Sequence, residues 1–421
     1  MQRPLQALRP SAFCPMASEY QARPSVLSLA TPQVALLTGG GDKPYALGLA
    51  TALTSAGLPV DFIGSTDLCC EEILNNPRIN FLNLRGDQNA SAGWWRKVLR
   101  VLVYYVRLLV YAATARPRVF HILWNNKFEI IDRTALMLYY RLLGKKVVLT
   151  AHNINAGQRD GKDSLLNRMT LGFQYRMCDR IFVHTHRMKQ EAIAEFGVAG
   201  DKVDVIPFGI NRTVPDTPLT TFEARQRLGL APDGRVVLFF GNIAPYKGLE
   251  FLVEAFELVG QTDLKLHLVV AGRLKDSEPY WRGLLEKINH SPTRKRMVLK
   301  IEYVPDAETE IYFKAADVLV LPYTHVYQSG VLSLGYGFGL PVIAADVGSL
   351  REEIIEGRTG FVFGAKDSRA LAGAIKNYFD SDLYRDLKQR RPEIRDYAND
   401  HYSWAKVAAI TSRVYSNLVV N

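Results

Sequence analysis

The chain reads as α/β, two parallel-sheet domains facing a cleft, and three observations lead there. At 421 residues it exceeds what one hydrophobic core normally supports, so two domains follow from size alone. Strand and helix signals alternate along its length, the mark of sheets built from strand-helix-strand units. The stretch 317–345, DVLVLPYTHVYQSGVLSLGYGFGLPVIAA, condenses that unit into one segment: buried strand, polar Gly-containing loop, helix, turn, second buried strand.

In the first half, strands are expected near Val34 to Leu37, Val60 to Ile63, Val119 to Leu123, Val147 to Ala151, Arg180 to Val183 and Val203 to Ile206. Each is a short apolar run of the kind a parallel sheet buries on both faces. The polar, Pro-containing segment GINRTVPDTPLTT, from Gly209 to Thr221, marks the linker. A second series follows near Val236 to Phe240, Leu266 to Val270, Leu299 to Tyr303, Val318 to Leu321, Val342 to Ala344 and Gly360 to Val362. The expected organisation is a loosely ordered tail at 1–32, a first domain at 33–210, a linker at 211–221, a second domain at 222–400 and a final helical segment at 401–421.

With 48% hydrophobic and 22% charged residues, the chain is neither disordered nor a bundle of membrane spans. Its net charge of +10, from 52 basic against 42 acidic residues, favours acidic partners such as nucleotide sugars, lipid diphosphates or an anionic membrane. Nucleic acid is not expected, since no basic stripe interleaved with stacking aromatics is present. Cys14, Cys69, Cys70 and Cys178 lack metal-ligand spacing, so neither zinc nor disulfides are expected and a reducing cytoplasm fits. The first thirty residues carry Arg3, Arg9 and Arg23 without a continuous apolar core, which argues against a secretory signal, and Met16 leaves a later start open.

The apolar region 98–115 is interrupted by Arg100 and Arg107, so it makes a poor membrane span. On a helix Arg96, Arg100 and Arg107 share a face beside Trp94 and Trp95. Two readings stay open: peripheral contact of 94–111 with the inner face of an anionic cytoplasmic membrane, or an ordinary helix packing its Val and Leu face on a sheet.

Chemistry is expected at four places. Gln328, Ser329 and Gly330 open a helix after a buried strand, so amides face outward where a phosphate would sit. Gly241, Asn242 and Lys247 lie between a strand and a helix, and an ammonium there stabilises a diphosphate leaving group as charge builds up on it. Arg273 follows Gly272 at a neighbouring strand end. Gly39, Gly40 and Gly41 follow the opening strand and let backbone approach a ligand, although Pro44 stands where dinucleotide spacing needs glycine. His152 follows another strand and points at the cleft; His121, His184 and His186 are second choices.

These segments resemble family 4 glycosyltransferases of the GT-B fold, with two Rossmann-like domains. The family's strand signature stands here as Gly339, Pro341, Val342, Ile343 and Ala344, and its Gly-Arg-x-x-x-x-Lys-Gly element as Gly241, Asn242, Lys247 and Gly248, the arginine replaced. Two glutamates usual in the family are replaced by Val326 and Leu334, which leaves His325 and Tyr327 beside the vacated position to contact the donor sugar. The resemblance implies a nucleotide diphosphate sugar donor and a glycan or polyprenyl-linked acceptor. It also implies retention, no bound metal, and a role in surface polysaccharide or glycoconjugate synthesis. His152 and Lys247 would act at the reacting centre, the glycine loop would lie over diphosphate and acceptor, and the last helix, from about Ser403 to Leu418, would cross back to the first domain. The missing glutamates admit a rival, a degenerate subunit that binds nucleotide sugar without turnover. A sugar-nucleotide epimerase of the same fold would want cleft carboxylates that the sequence does not display.

Overall fold

The computed structural model describes residues 34–420 apart from 90, 160, 211–213 and 276; the tail at 1–32 and the start of the expected linker lie outside the described residues. The first sheet contains β1 (Val34–Leu37), β2 (Val60–Ile63), β3 (Ile79–Leu82), β4 (Val119–Ile122), β5 (Lys146–Thr150), β6 (Arg180–Val183) and β7 (Val203–Val205), in the spatial order β3-β2-β1-β4-β5-β6-β7. The second contains β8 (Arg235–Phe240), β9 (Leu266–Ala271), β10 (Met297–Lys300), β11 (Val318–Leu321), β12 (Val342–Ala345) and β13 (Gly360–Phe363), in the order β10-β9-β8-β11-β12-β13. Every pairing is parallel. Strand order reverses between β1 and β4 and again between β8 and β11, and such switch points are where open α/β sheets bind ligands.

The central strands are apolar throughout, as VALL in β1, VLVL in β11 and VIAA in β12, because helices cover both faces. The sequence reading missed β3 and set β10 about two residues late. Both are edge strands, where partly and fully exposed residues, Asn80 among them, dilute the apolar signal.

Eight helices matter below: α1 (Lys43–Ser55), α2 (Trp94–Thr114), α3 (Ala135–Leu142), α4 (Leu165–Met177), α5 (His186–Phe196), α6 (Leu249–Gly260), α7 (Gly330–Gly337) and α8 (Trp404–Val420). Asp42 caps α1 by accepting the Tyr45 N–H at 3.1 Å, with Pro44 in the first turn where no donor is missed. Helices α2 to α5 share one apolar core on one face of the first sheet, while α1 and α8 share another on the opposite face.

The last helix thus packs on the first domain. Trp404 donates its indole N–H to the Ile210 carbonyl at 2.9 Å. Its ring fills a notch over Gly48 and Gly209, where a Cβ would lie 2.3 Å and 2.2 Å from the indole. Tyr415 of α8 meets Nδ1 of His121 at 2.5 Å, tying the helix to β4.

Candidate active site

The two switch points enclose a cavity of about 280 Å³. Asp42, Pro44 and Tyr45 wall it from the first domain, and Lys247, Ser329, Gly330 and Leu334 from the second. On the second-domain side, close backbone approach dictates the glycines. Gly241 has φ 109° and Gly272 φ 148°, and a Cβ on Gly272 would lie 1.8 Å from the Gly241 carbonyl oxygen. Lys247 ends a short helical turn, and Gly248, at φ 64°, lets the chain swing directly into α6. The Lys247 ammonium sits 3.7 Å from the centre of the Tyr323 ring, a cation–π contact that holds the stem towards the cavity. Asn242 accepts the Arg273 Nε–H at 3.3 Å, so the two polar groups at the ends of β8 and β9 act as a pair. Helix α7 opens at Gly330, with the Ser329 hydroxyl 3.4 Å from that of Tyr323, and the buried Gln328 Oε1 lies just before it without a hydrogen-bond partner.

Where the glutamates would stand, the surface is apolar. Leu334 forms part of the cavity wall, and Val326 is buried with its carbonyl against Gly348. Tyr327 departs from its expected place beside the donor. Its side chain enters the core of the first domain, where the hydroxyl accepts the Asn155 N–H at 3.2 Å and donates to the Asn155 carbonyl at 2.9 Å. His325 and Tyr327 line a different cavity, about 290 Å³, with Arg187 and Asp346. Tyr327 is therefore an interdomain latch rather than a sugar contact. Tyr327→Phe leaves the N–H of the fully buried Asn155 unpaired, while its carbonyl keeps the Gln158 N–H at 3.1 Å, at about 1–3 kcal/mol. The expected result is a lower melting temperature and a KM for donor raised several-fold; a variant identical to wild type in both would remove the latch.

On the first-domain side the glycine loop is set by its neighbours rather than by a need for flexibility. A Cβ on Gly39 would lie 2.0 Å from the Trp124 carbonyl oxygen, one on Gly41 1.9 Å from the Trp124 ring, and one on Gly40 2.5 Å from the Arg85 guanidinium. Trp124 in turn stacks on His152, with centroids 4.2 Å apart and planes 8° from parallel, and Tyr45 meets the same imidazole edge-on at 4.7 Å. Tyr45 therefore touches both the donor-side cavity and His152.

His184 is the partner that the sequence reading ranked second. Its Nε2 lies 3.0 Å from Nδ1 of His152, and its own Nδ1 lies 3.3 Å from the Ile206 carbonyl. Facing a carbonyl, that Nδ1 must carry the proton, so Nε2 accepts from His152 Nδ1–H and His152 Nε2 is left as a bare acceptor. It is buried without a hydrogen-bond partner, in a ring that borders a cavity of about 170 Å³ with Asn125, Arg133 and Gln174. Burial, then the neighbouring His184 and His121, hold His152 well below the usual imidazole range, and burial takes His184 down to about 4. The pair is neutral at physiological pH. The signal was available: both imidazoles follow the ends of adjacent parallel strands, β5 and β6.

His121, between Tyr415 and Thr150, is a fully buried structural residue, and His186 is exposed at the start of α5. Glu353, half-buried, receives the Tyr402 hydroxyl and is pushed up to about 6 by burial.

Residues 39–214 match the model of Glycosyltransferase Family 4, and residues 234–381 that of Glycosyl transferases group 1. A D-inositol 3-phosphate glycosyltransferase of Pseudarthrobacter chlorophenolicus is 26% identical over 391 residues, covering 89% of this chain and 90% of the relative. Among solved structures, sucrose-phosphate synthase from Thermosynechococcus elongatus aligns with TM-score 0.74 at 19% identity, covering 93% of this chain and all of the other. Anabaena HepE in complex with UDP-glucose aligns with TM-score 0.70 at 15% identity, covering 91% and 99%.

Proposed function

Because the chain belongs to glycosyltransferase family 4, its first half matching that model and its second half the group 1 glycosyl transferases, we propose that it moves a sugar from a nucleotide diphosphate donor to a glycan or lipid-linked acceptor. The proposal includes retention, no bound metal, and a place in surface polysaccharide or glycoconjugate synthesis. One observation carries it: the Lys247 ammonium and the amino end of α7 share a cavity with the glycine-loop side of the first domain. A diphosphate seated there meets a fixed cation and helix amides, and both gain strength as the glycosidic bond breaks and charge moves onto the leaving group.

The rest of the site supports the same arrangement. His152 Nε2, held as an acceptor by its tautomer, suits a hydroxyl of the donor sugar rather than general-base work. An inverting displacement needs a general base to take the acceptor proton on the face opposite the leaving group, and the only carboxylate in the cavity wall among the described residues, Asp42, is engaged in capping α1. That favours entry and departure on one face, hence retention, and gives an epimerase no proton carrier. Leu334 offers the ribose no hydrogen bond, so donor affinity rests on the phosphates. The name of the inositol phosphate relatives and the buried Arg133 beside His152 favour a second acceptor reading, a phosphorylated polyol.

A thermal-shift panel of UDP-, GDP- and ADP-sugars, followed by assay of released nucleotide, tests the proposal. At a hundredfold excess over Kd the matching donor stabilises the native state by about 2.7 kcal/mol. Stabilisation without nucleotide release, with or without acceptor, would return the chain to the degenerate-binder reading; no stabilisation by any donor would overturn both.

A further inference from the structure

We propose that α2, α3 and α4 together form a docking face for an anionic lipid bilayer, on which the protein lies without crossing. The helix Trp94–Thr114 decides between the two readings left open by its sequence. Of its 21 residues only Tyr104, Leu108 and Ala112 are buried, a stripe of one side chain per turn. Its Val and Leu face points outward instead, with Leu99, Leu102, Val106 and Val110 all more than half exposed. Trp94 and Trp95 stand at its amino end, 64% and 74% exposed and 4.2 Å apart.

The face extends beyond that helix, which the sequence alone did not reveal. Helices α2, α3 and α4 lie side by side over the same sheet face, α3 joined to α2 by the Tyr139 hydroxyl donating to the Leu109 carbonyl. Leu142 on α3 is 86% exposed, and Leu165 and Met169 on α4 are 76% and 64% exposed. Of the 22 large apolar side chains exposed among the described residues, 13 lie on these three helices. That concentration exceeds the scattered exposure normal for a soluble surface.

Charge selects the occupant. The three helices carry seven Arg and Lys residues and no Asp or Glu; Arg141 and Arg168 are paired with Asp179 and Asp163, which leaves the excess positive charge mainly on α2. Such a surface repels a cationic copy of itself and attracts anionic headgroups, while Trp and Leu enter the acyl boundary. Among the described residues no helix is long and apolar enough to cross a membrane, which leaves an in-plane attachment. The amino ends of α2 and α4 lie at the carboxyl edge of the sheet, beside the cleft, so the docked protein would meet a lipid-borne acceptor at its own mouth. The docking itself does not depend on the transferase reading.

Flotation of the full chain with vesicles of phosphatidylcholine alone, or with phosphatidylglycerol added, tests it. Binding is expected only to the anionic vesicles, weakening with salt. It should fall at least about tenfold in Trp94→Ser/Trp95→Ser, in Arg96→Glu/Arg107→Glu and in Leu165→Ser/Met169→Ser. All six side chains are exposed, so each variant should keep the wild-type melting temperature. Equal binding to both vesicle types, or wild-type binding by the Leu165→Ser/Met169→Ser variant, would overturn the three-helix face. So would a vesicle-indifferent dimer that this last variant splits, since a second copy would then be the occupant.

Discussion

Lys247→Ala is expected to lower donor turnover by about 10²–10³-fold, the usual loss when one fixed charge or donor at a leaving group is removed. The effect should be larger here than where a second cation shares the load. Asn242 occupies the family's arginine position and brings no charge, and its amide oxygen is already turned to Arg273. The side chain lies on Tyr323 at the cavity edge rather than in a core, so its removal should leave the melting temperature nearly unchanged. Lys247→Arg keeps a cation but changes its reach, and should recover part of the loss. Steady-state rates of nucleotide release for the three proteins check this; wild-type turnover in the alanine variant would sink the assignment of the phosphate site.

Acid should unfold the protein at a pH where most of its carboxylates are still ionised. His121 and His184 are buried and uncharged, with burial taking them down to about 3 and about 4 against an ordinary value of 6.5. Below 6.5 the unfolded chain therefore binds protons that the native state refuses, so stability falls as pH drops. The loss begins near pH 6.5 and is complete for His184 near pH 4, where it amounts to on the order of 3 kcal/mol; His121 adds to it down to about pH 3. Urea melts between pH 7 and pH 4.5 measure the slope. His184→Asn should flatten it, whereas an unchanged slope would place the acid sensitivity elsewhere.

The parts of this molecule legible in the sequence were those that repeat a local rule. Eleven of the thirteen strands were apolar enough to be placed within a residue or two, because helices cover them on both faces. The two misjudged strands, Ile79–Leu82 and Met297–Lys300, lie at sheet edges where burial asks less of each residue. At the candidate site, Lys247, Gly241 and Gly330 could be picked out because glycine turns and helix starts are local backbone features, and Lys247 and Gly330 do line one cavity. The His152–His184 pair was only half visible, since its members are 32 residues apart and meet through strand order alone. Tyr327 was misread for the same reason: its partner, Asn155, lies 172 residues away in the other domain. Nor could periodicity show that the Val and Leu face of Trp94–Thr114 points outward, because a helix apolar on two sides gives no preference between them.

The Trp404 wedge also sets a schedule. Its partner carbonyl on Ile210 precedes it by 194 residues, and Tyr415 follows its partner His121 by 294. At about 5–20 residues per second, a ribosome delivers the first sheet roughly 10–40 s before the helix that covers one of its faces. For that interval the outer side of α1, with the notch at Gly48, stands bare, and the first domain completes its packing only after the second has been made. The two halves of this enzyme are therefore not separable modules joined by a tether: the chain is knit shut from its far end, and a fragment cut between the sheets would keep every strand of the first domain while losing the helix that seals it.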